Sequence, residues 1–233
     1  MLTGSTVTEK IWNYLIQYLT PEGVAGLMGN LKAESNFKSN NLQNSVNTKL
    51  NVTDEQYTMF VDKGIYTGFC IDNAGYGLAQ WTTSGRKSNL YTYAKSKKVS
   101  ISDLEMQLEF LVNELKTSYK KVYEVLRTTK DIKEASDIVL LKFERPKNKS
   151  DAVKNTRFNY ASEIYDKYSK NISNTSLKVG DKVKVVNPVT YDGKSFKVYH
   201  KEYEVLSIKN DRVVIGINKV VTTAINIYNI KKI

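Results

Sequence analysis

The sequence predicts two fold classes in one chain: a mostly α domain over residues 1–170 and a small all-β barrel over residues 177–233, α+β taken together. Three observations predict this. From Thr6 to Lys170 apolar residues recur three and four apart, the period of a half-buried helix. From Leu177 onward the alternation has period two in "KVGDKVKVV", "YEVLSI", "DRVVIGI" and "VVTTAINI", β-branched runs separated by Asp-Gly and Asn-Asp turns. Between the two regimes, "NISNTS" at 171–176 is a polar linker.

Capping pairs place the helix starts. Thr6 with Glu9, Ser102 with Glu105 and Asp131 with Glu134 each set a cap three residues before a glutamate. The first helix carries Ile11, Trp12, Leu15 and Leu19 and stops before Pro21. "TPEG" opens the second, with Pro21 in its first turn and Val24, Leu27, Met28 and Leu31 on one face. Residues 36–74 break into Asn, Ser, Thr, Gly and aromatics, which predicts loops with a short hairpin, and so long an irregular insert is usually functional. Helical runs follow through Leu104, Leu108, Leu111 and Leu115, then Val122, Tyr123 and Leu126, then Ile132, Ala135, Val139 and Phe143 up to Pro146. A last helix runs from about Ala152 to Tyr168.

Composition excludes several chemistries. With 233 residues and 41% hydrophobic content, the chain can bury one sizeable core and a smaller one. Cys70 is the only cysteine and His200 the only histidine, so an internal disulfide, a Cys/His nucleophile pair and a zinc cluster are set aside. No cofactor or metal is expected. The N-terminus has no basic leader before an apolar run, and no stretch of about 18 apolar residues occurs, so a soluble protein made without a secretory signal and without membrane insertion is expected. The net charge of +11 points to an anionic partner. Its lysines are scattered, with no arginine-rich run or RNP-like strand, so nucleic acid is not the expected one. A solvated lysine surface and an anionic polymer such as bacterial wall both account for it. The β region, with 11 basic against 5 acidic residues, carries +6 of the total.

Two stretches carry chemistry. In "GLMGNLKAESNF", Glu34 lies three residues past Leu31 on the apolar stripe, in the last turn before Ser35 and Asn36. Desolvation and the negative end of the helix dipole both disfavour its anion, so a raised pKa is expected, the property an acid needs to protonate a glycosidic oxygen. The bland alternative is a glutamate at a helix end in solvent. In "DNAGYGLAQWTTSGR", Gly75, Gly77 and Gly85 let backbone approach a ligand, Tyr76 and Trp81 could stack on sugar rings, and Gln80 offers an amide. Here the alternative is a glycine turn around a core tryptophan.

Taken together, Glu34-Ser35 and "GYGLAQW" some forty residues later resemble the lysozyme-like superfamily, and most closely the phage tail lysozyme family, whose members read "GN(I/L)xxES", then "GYGLAQWT…R", and end near an "FExP" such as Phe143 to Pro146. The resemblance spans Thr6 to Tyr168. A glutamate kept protonated by an apolar setting is the known pattern of lysozymes, and the raised pKa expected of Glu34 follows it. The resemblance implies cleavage of the β-1,4 glycan of peptidoglycan, with Glu34 as general acid and Ser35, Tyr76, Gln80, Trp81, Thr82 and Arg86 as substrate-binding positions. For the second carboxylate the insert offers Glu55, Asp62 and Asp72, of which Asp72 precedes the groove segment most directly. A lytic transglycosylase needing Glu34 alone and a non-catalytic wall-binding or tail structural protein stay open. The resemblance further implies action at a Gram-positive wall of clostridium-like bacteria, after holin-mediated release or within a phage tail.

"LKVGDKVKVVNPVTYDGKSF" resembles the start of a bacterial SH3-like wall-binding domain. Its groove candidates are Tyr191, Phe196, Tyr199 and Tyr203. Tyr191 and Tyr199 lie near turns and are the expected exposed pair, while Phe196 and Tyr203 read better as core.

Overall fold

A computed structural model describes residues 2–169, 177–186, 188–192, 194–209 and 212–233. The linker at 171–176, Gly193 of the Asp-Gly turn and the Asn210–Asp211 turn lie outside the described residues.

Helix α1 (Val7–Leu15) starts where the Thr6 hydroxyl accepts the Glu9 amide at 3.1 Å. It is shorter than the periodicity predicts, and Leu19 is buried from the turn that follows. Helix α2 (Pro21–Ser35) opens on Thr20, whose hydroxyl accepts the Gly23 amide at 3.1 Å, with proline at the position that needs no donor.

The insert is more ordered than expected. Helices α3 (Asn44–Leu50) and α4 (Asp54–Asp62) occupy most of it, and α4 has a reciprocal capping box between Thr53 and Gln56. No hairpin closes within the described insert; Leu42 instead bridges forward to Tyr76, which bridges Trp81.

Then come α5 (Ser84–Lys97), α6 (Leu104–Thr117), α7 (Lys120–Thr128) and α8 (Ile132–Ile138). The cap of α6 is Asp103, accepting the Met106 amide at 2.8 Å, one residue past the expected Ser102. Asp131 caps α8 by accepting the Lys133 and Glu134 amides. From α8 the chain continues into a π-helical turn, Val139–Glu144, which ends on Arg145 at φ 53°. Helix α9 (Asp151–Tyr168) closes the domain against α2 and α8.

The axis of this domain is α2, in which every residue from Gly23 to Leu31 is buried. The single apolar face that the sequence suggests is thus a helix enclosed on all sides. Its glycines show how. A Cβ on Gly23 would lie 1.8 Å from the Leu126 carbonyl oxygen of α7, on Gly26 2.4 Å from the Ala135 Cβ of α8, and on Gly29 2.6 Å from the Arg157 carbonyl oxygen of α9. At 3.6 residues per turn, a step of three rotates each glycine by about 60° from the last, so three neighbours rest directly on the α2 backbone.

The C-terminal region forms a five-stranded antiparallel sheet in the order β4-β3-β2-β1-β5, from β1 (Lys182–Val185), β2 (Tyr203–Lys209), β3 (Arg212–Ile217), β4 (Val220–Asn226) and β5 (Ile230–Lys232). Val183, Tyr203, Val205, Val213, Ile215, Ile225 and Ile230 form its own buried cluster. No helix among the described residues is long and apolar enough to cross a membrane.

Candidate active site

Glu34 stands in the last turn of α2, and the chain leaves that helix abruptly. Asn36 at φ 49° and Phe37 at φ 65° are both left-handed, which an asparagine adopts readily and a phenylalanine does not. Phe37 is only 8% exposed, and its burial offsets a strain of about 1–3 kcal/mol. The Ser35 hydroxyl donates to the Leu31 carbonyl at 3.1 Å and to the Leu78 carbonyl at 2.9 Å, tying the end of α2 to the glycine-rich loop. Ser35 is buried at that junction.

A residue without any signal in the sequence completes the junction. Gln107 of α6 accepts the Leu78 amide at 3.0 Å and donates to the Ser39 and Ile101 carbonyls at 2.7 Å each. Gly77, at φ 75°, makes room for it, because a Cβ there would sit 2.8 Å from the Gln107 amide. Gln80, at φ 45° and half-buried, donates to the Asn41 carbonyl at 3.0 Å and the Gly77 carbonyl at 3.2 Å.

Several expected groove residues face inward. Tyr76 and Trp81 are fully buried, so neither can stack on a sugar; the Tyr76 hydroxyl meets that of Thr58 at 2.6 Å, and the Trp81 indole donates to Glu114 at 3.0 Å. Arg86 grips Glu114 through two nitrogens, at 2.7 and 2.8 Å, and lies 4.6 Å from the Phe143 ring centre. It braces α6 and the π-helical turn. Thr82 is exposed.

The carboxylates expected to assist Glu34 are held elsewhere. Asp72 pairs with fully buried Lys87 at 2.5 Å and also accepts from the Tyr57 hydroxyl, the Tyr66 hydroxyl at 3.2 Å and the Ala74 amide at 3.0 Å. Such commitment leaves no lone pair for a sugar. Burial pulls the Lys87 pKa down, and it is chiefly Asp72 that opposes this. Glu55 is exposed on α4 and accepts from Asn40 at 3.1 Å; its own amide, Thr53 and Asn40 hold its pKa below the usual value. Asp62 caps the segment before α6 by accepting from the Ser100 hydroxyl and the Ile101 amide.

What the structure brings to Glu34 is a different set. Arg157 of α9 donates from Nη2 to Glu34 Oε1 at 2.5 Å, with both side chains mostly shielded. Glu144, closing the π-helical turn, is pushed up to about 8, chiefly by burial and next by the charge of Glu34, while Arg86 and Arg157 pull it down. Although Glu144 is only half-buried, its Oε1 is wholly buried and has no hydrogen-bond partner, and so is Nε of Arg157. Beside the end of α2 opens a cavity of about 790 Å³, bounded by Lys32, Asn36, Phe37, Lys38, Lys167 and Tyr168 among others.

In the sheet domain Tyr199 is 73% exposed and Tyr191 38%, whereas Tyr203 is buried with its hydroxyl accepting the Tyr199 and His200 amides. Phe196 is half-buried against the sheet core. The sequence model of the phage tail lysozyme family matches residues 6–168, which takes in Glu34, the glycine-rich loop, the π-helical turn and α9. Through that region, well over half of its length, the chain belongs to the phage tail lysozyme family.

Proposed function

We propose that the chain lyses peptidoglycan as a muramidase of endolysin type, cleaving the β-1,4 bond between N-acetylmuramic acid and N-acetylglucosamine with Glu34 as general acid. The observation that carries this reading is Glu34 at the end of α2, fixed against the glycine-rich loop through Ser35 and Leu78 and charge-paired to Arg157, within the family-matched region. Protonation of the leaving oxygen generates an oxocarbenium-like centre that water or a carboxylate then quenches. The cavity beside α2, with Lys32, Lys38 and Lys167 on its rim, suits the anionic stems of a Gram-positive wall. The C-terminal sheet acts as an SH3-like wall-binding barrel, exposing Tyr191 and Tyr199, and tethers the catalytic domain to its substrate. Release through a holin-opened membrane, or carriage in a tail, brings the protein to the wall.

The commitment of Asp72 to Lys87 favours a second reading, a lytic transglycosylase in which the substrate's own hydroxyl closes an anhydro ring. Mass spectrometry of fragments released from purified walls, with Glu34→Gln alongside, separates the two. Reducing muramic acid ends establish the muramidase, ends lighter by one water the transglycosylase. Loss of at least about 100-fold in rate is expected for Glu34→Gln, the usual scale for removing a general acid. Lysis by that variant at the wild-type rate would refute the assignment of Glu34.

A further inference from the structure

Two cavities open along the seam where α6 and α7 meet the sheet region. The smaller, of about 250 Å³, is lined by three tyrosines: Tyr18 from the turn after α1, Tyr191 from the connection between β1 and β2, and Tyr228 from the short turn between β4 and β5. Asp192, Asn226 and Asn229 share its sheet side, Arg127 and Lys130 its helical side. The larger, of about 620 Å³, is lined by Lys116 and Tyr123 from the helices and by Lys194 and Ser195 from the sheet region. Arg127 and Val189 line both, so the two cavities adjoin. The two regions also meet directly, for Lys130 Nζ lies 5.9 Å from the Tyr191 ring centre, and the Arg212 guanidinium of β3 approaches the same ring to 5.9 Å.

The lining has a definite chemistry. Aromatic rings beside amides and a carboxylate are what a sugar ring needs, apolar C–H faces to rest on the rings and hydroxyls to exchange hydrogen bonds with the rest. Charge adds a second requirement. Four cations of the seam, Lys116, Arg127, Lys130 and Lys194, stand against two acids, Glu124 and Asp192. Both acids are already paired, Glu124 with Arg127 at 2.8 Å and Asp192 with Lys194 at 3.2 Å. Lys116 is held over the Tyr18 ring at 4.4 Å and lies 5.6 Å from that of Tyr123, with no carboxylate partner among the described residues. Burial lowers its pKa, and an ammonium shielded from water without a counter-charge gains from an arriving anion. Since Tyr18 lines the small cavity and Lys116 the large one, a sugar in the first lies beside the cation of the second.

We propose that this seam is a composite binding site for an anionic glycan, with one sugar unit seated among Tyr18, Tyr191 and Tyr228 and its carboxylate or phosphate substituent facing Lys116. Neither the helices nor the sheet region supplies the site alone. The bacterial wall as the source of such a glycan rests on the lysis reading above; the chemistry of the seam does not.

The test is an NMR titration of the full chain carrying Glu34→Gln, which spares the probes from cleavage, following signals from Lys116, Lys130, Tyr191 and Asn229. Three probes are compared: a disaccharide-peptide from peptidoglycan, which carries carboxylates, a phosphodiester-linked wall polymer, and a neutral oligomer of N-acetylglucosamine. Signals on both sides of the seam are expected to shift together with one dissociation constant, about 3-fold or more tighter for an anionic probe than for the neutral one, a preference that shrinks as salt is raised. Which anionic probe binds tells carboxylate from phosphate. Lys116→Gln is expected to erase the preference, whereas Tyr191→Ala is expected to weaken anionic and neutral probes alike by about 3- to 10-fold. Shifts confined to the sheet region, or absent from the seam, overturn the proposal, as does a neutral oligomer bound as tightly as the anionic probes. Unchanged affinity in Lys116→Gln and Tyr191→Ala overturns it too. The lysis reading has a separate readout, fragment release from walls by the wild-type chain, and its failure there would show as lost release with seam binding intact.

Discussion

Among single side chains, the carboxylates divide by what surrounds them. Asp72 and Lys87 form a buried pair whose partners are supplied by Tyr57, Tyr66 and the backbone at Ala74. Removing one member of such a pair strands the other charge, so Lys87→Met is expected to lower stability by about 3–5 kcal/mol, and Lys87→Met with Asp72→Asn to recover much of that, measured by urea unfolding. The sequence shows Asp72 next to the glycine-rich stretch, and that adjacency is why it reads as a candidate catalyst. Its pairing with Lys87 is a tertiary fact with no periodic or motif signal. Glu144 is the converse: "FERP" is visible in the sequence, but only packing makes its carboxyl hold a proton. With a folded-state pKa near 8 against an ordinary 4.5, Glu144 is protonated when folded and ionised when unfolded across that interval. Unfolding then releases a proton, so stability falls as pH rises from about 4.5 to about 8. Glu144→Gln is expected to flatten that slope in melting temperature against pH.

Among the helices, α2 shows what a pattern of apolar residues can and cannot say. Val24, Leu27, Met28 and Leu31 announce a helix, and Thr20-Pro21 its start, both as observed. They do not announce that the opposite side is buried too. That information sits in Gly23, Gly26 and Gly29, a three-residue spacing that is legible once close helix packing is sought. Gly26→Ala would press a methyl against Ala135 and the Ser136 amide nitrogen at 2.4–2.6 Å, and it is expected to cost about 1–3 kcal/mol in denaturant unfolding. The insert misleads for a related reason: α4 is a nine-residue helix whose Thr53–Gln56 capping box is in view, but polar and aromatic residues blur its period. At the C-terminal end of α8 the periodicity reaches Phe143 correctly, while the change from α to π winding leaves no mark in composition.

Across the full chain, the period changes from 3.6 to two, and the described residues on either side of that change hold separate buried clusters. The five-stranded antiparallel sheet is legible because its strands alternate, with Val183, Tyr203, Val205, Val213 and Ile215 turned inward. Deleting residues 177–233 is expected to reduce sedimentation with purified walls by roughly 10-fold or more, the size of effect that goes with a lost second attachment, while hydrolysis of soluble fragments is retained. Equal wall binding by the shortened chain would refute the role given to Tyr191 and Tyr199.

The glycine contacts of α2 also bear on time. A helix whose backbone lies directly against three others has no loose side chains to yield before it does, so its amide hydrogens are expected to exchange with solvent only when the domain opens as a whole. Helix α3, which buries none of its residues, is expected to exchange by local fraying many times faster. Deuterium uptake would then divide the helical domain into a slow axis ending at Glu34 and a fast outer segment at α3, two clocks within one fold.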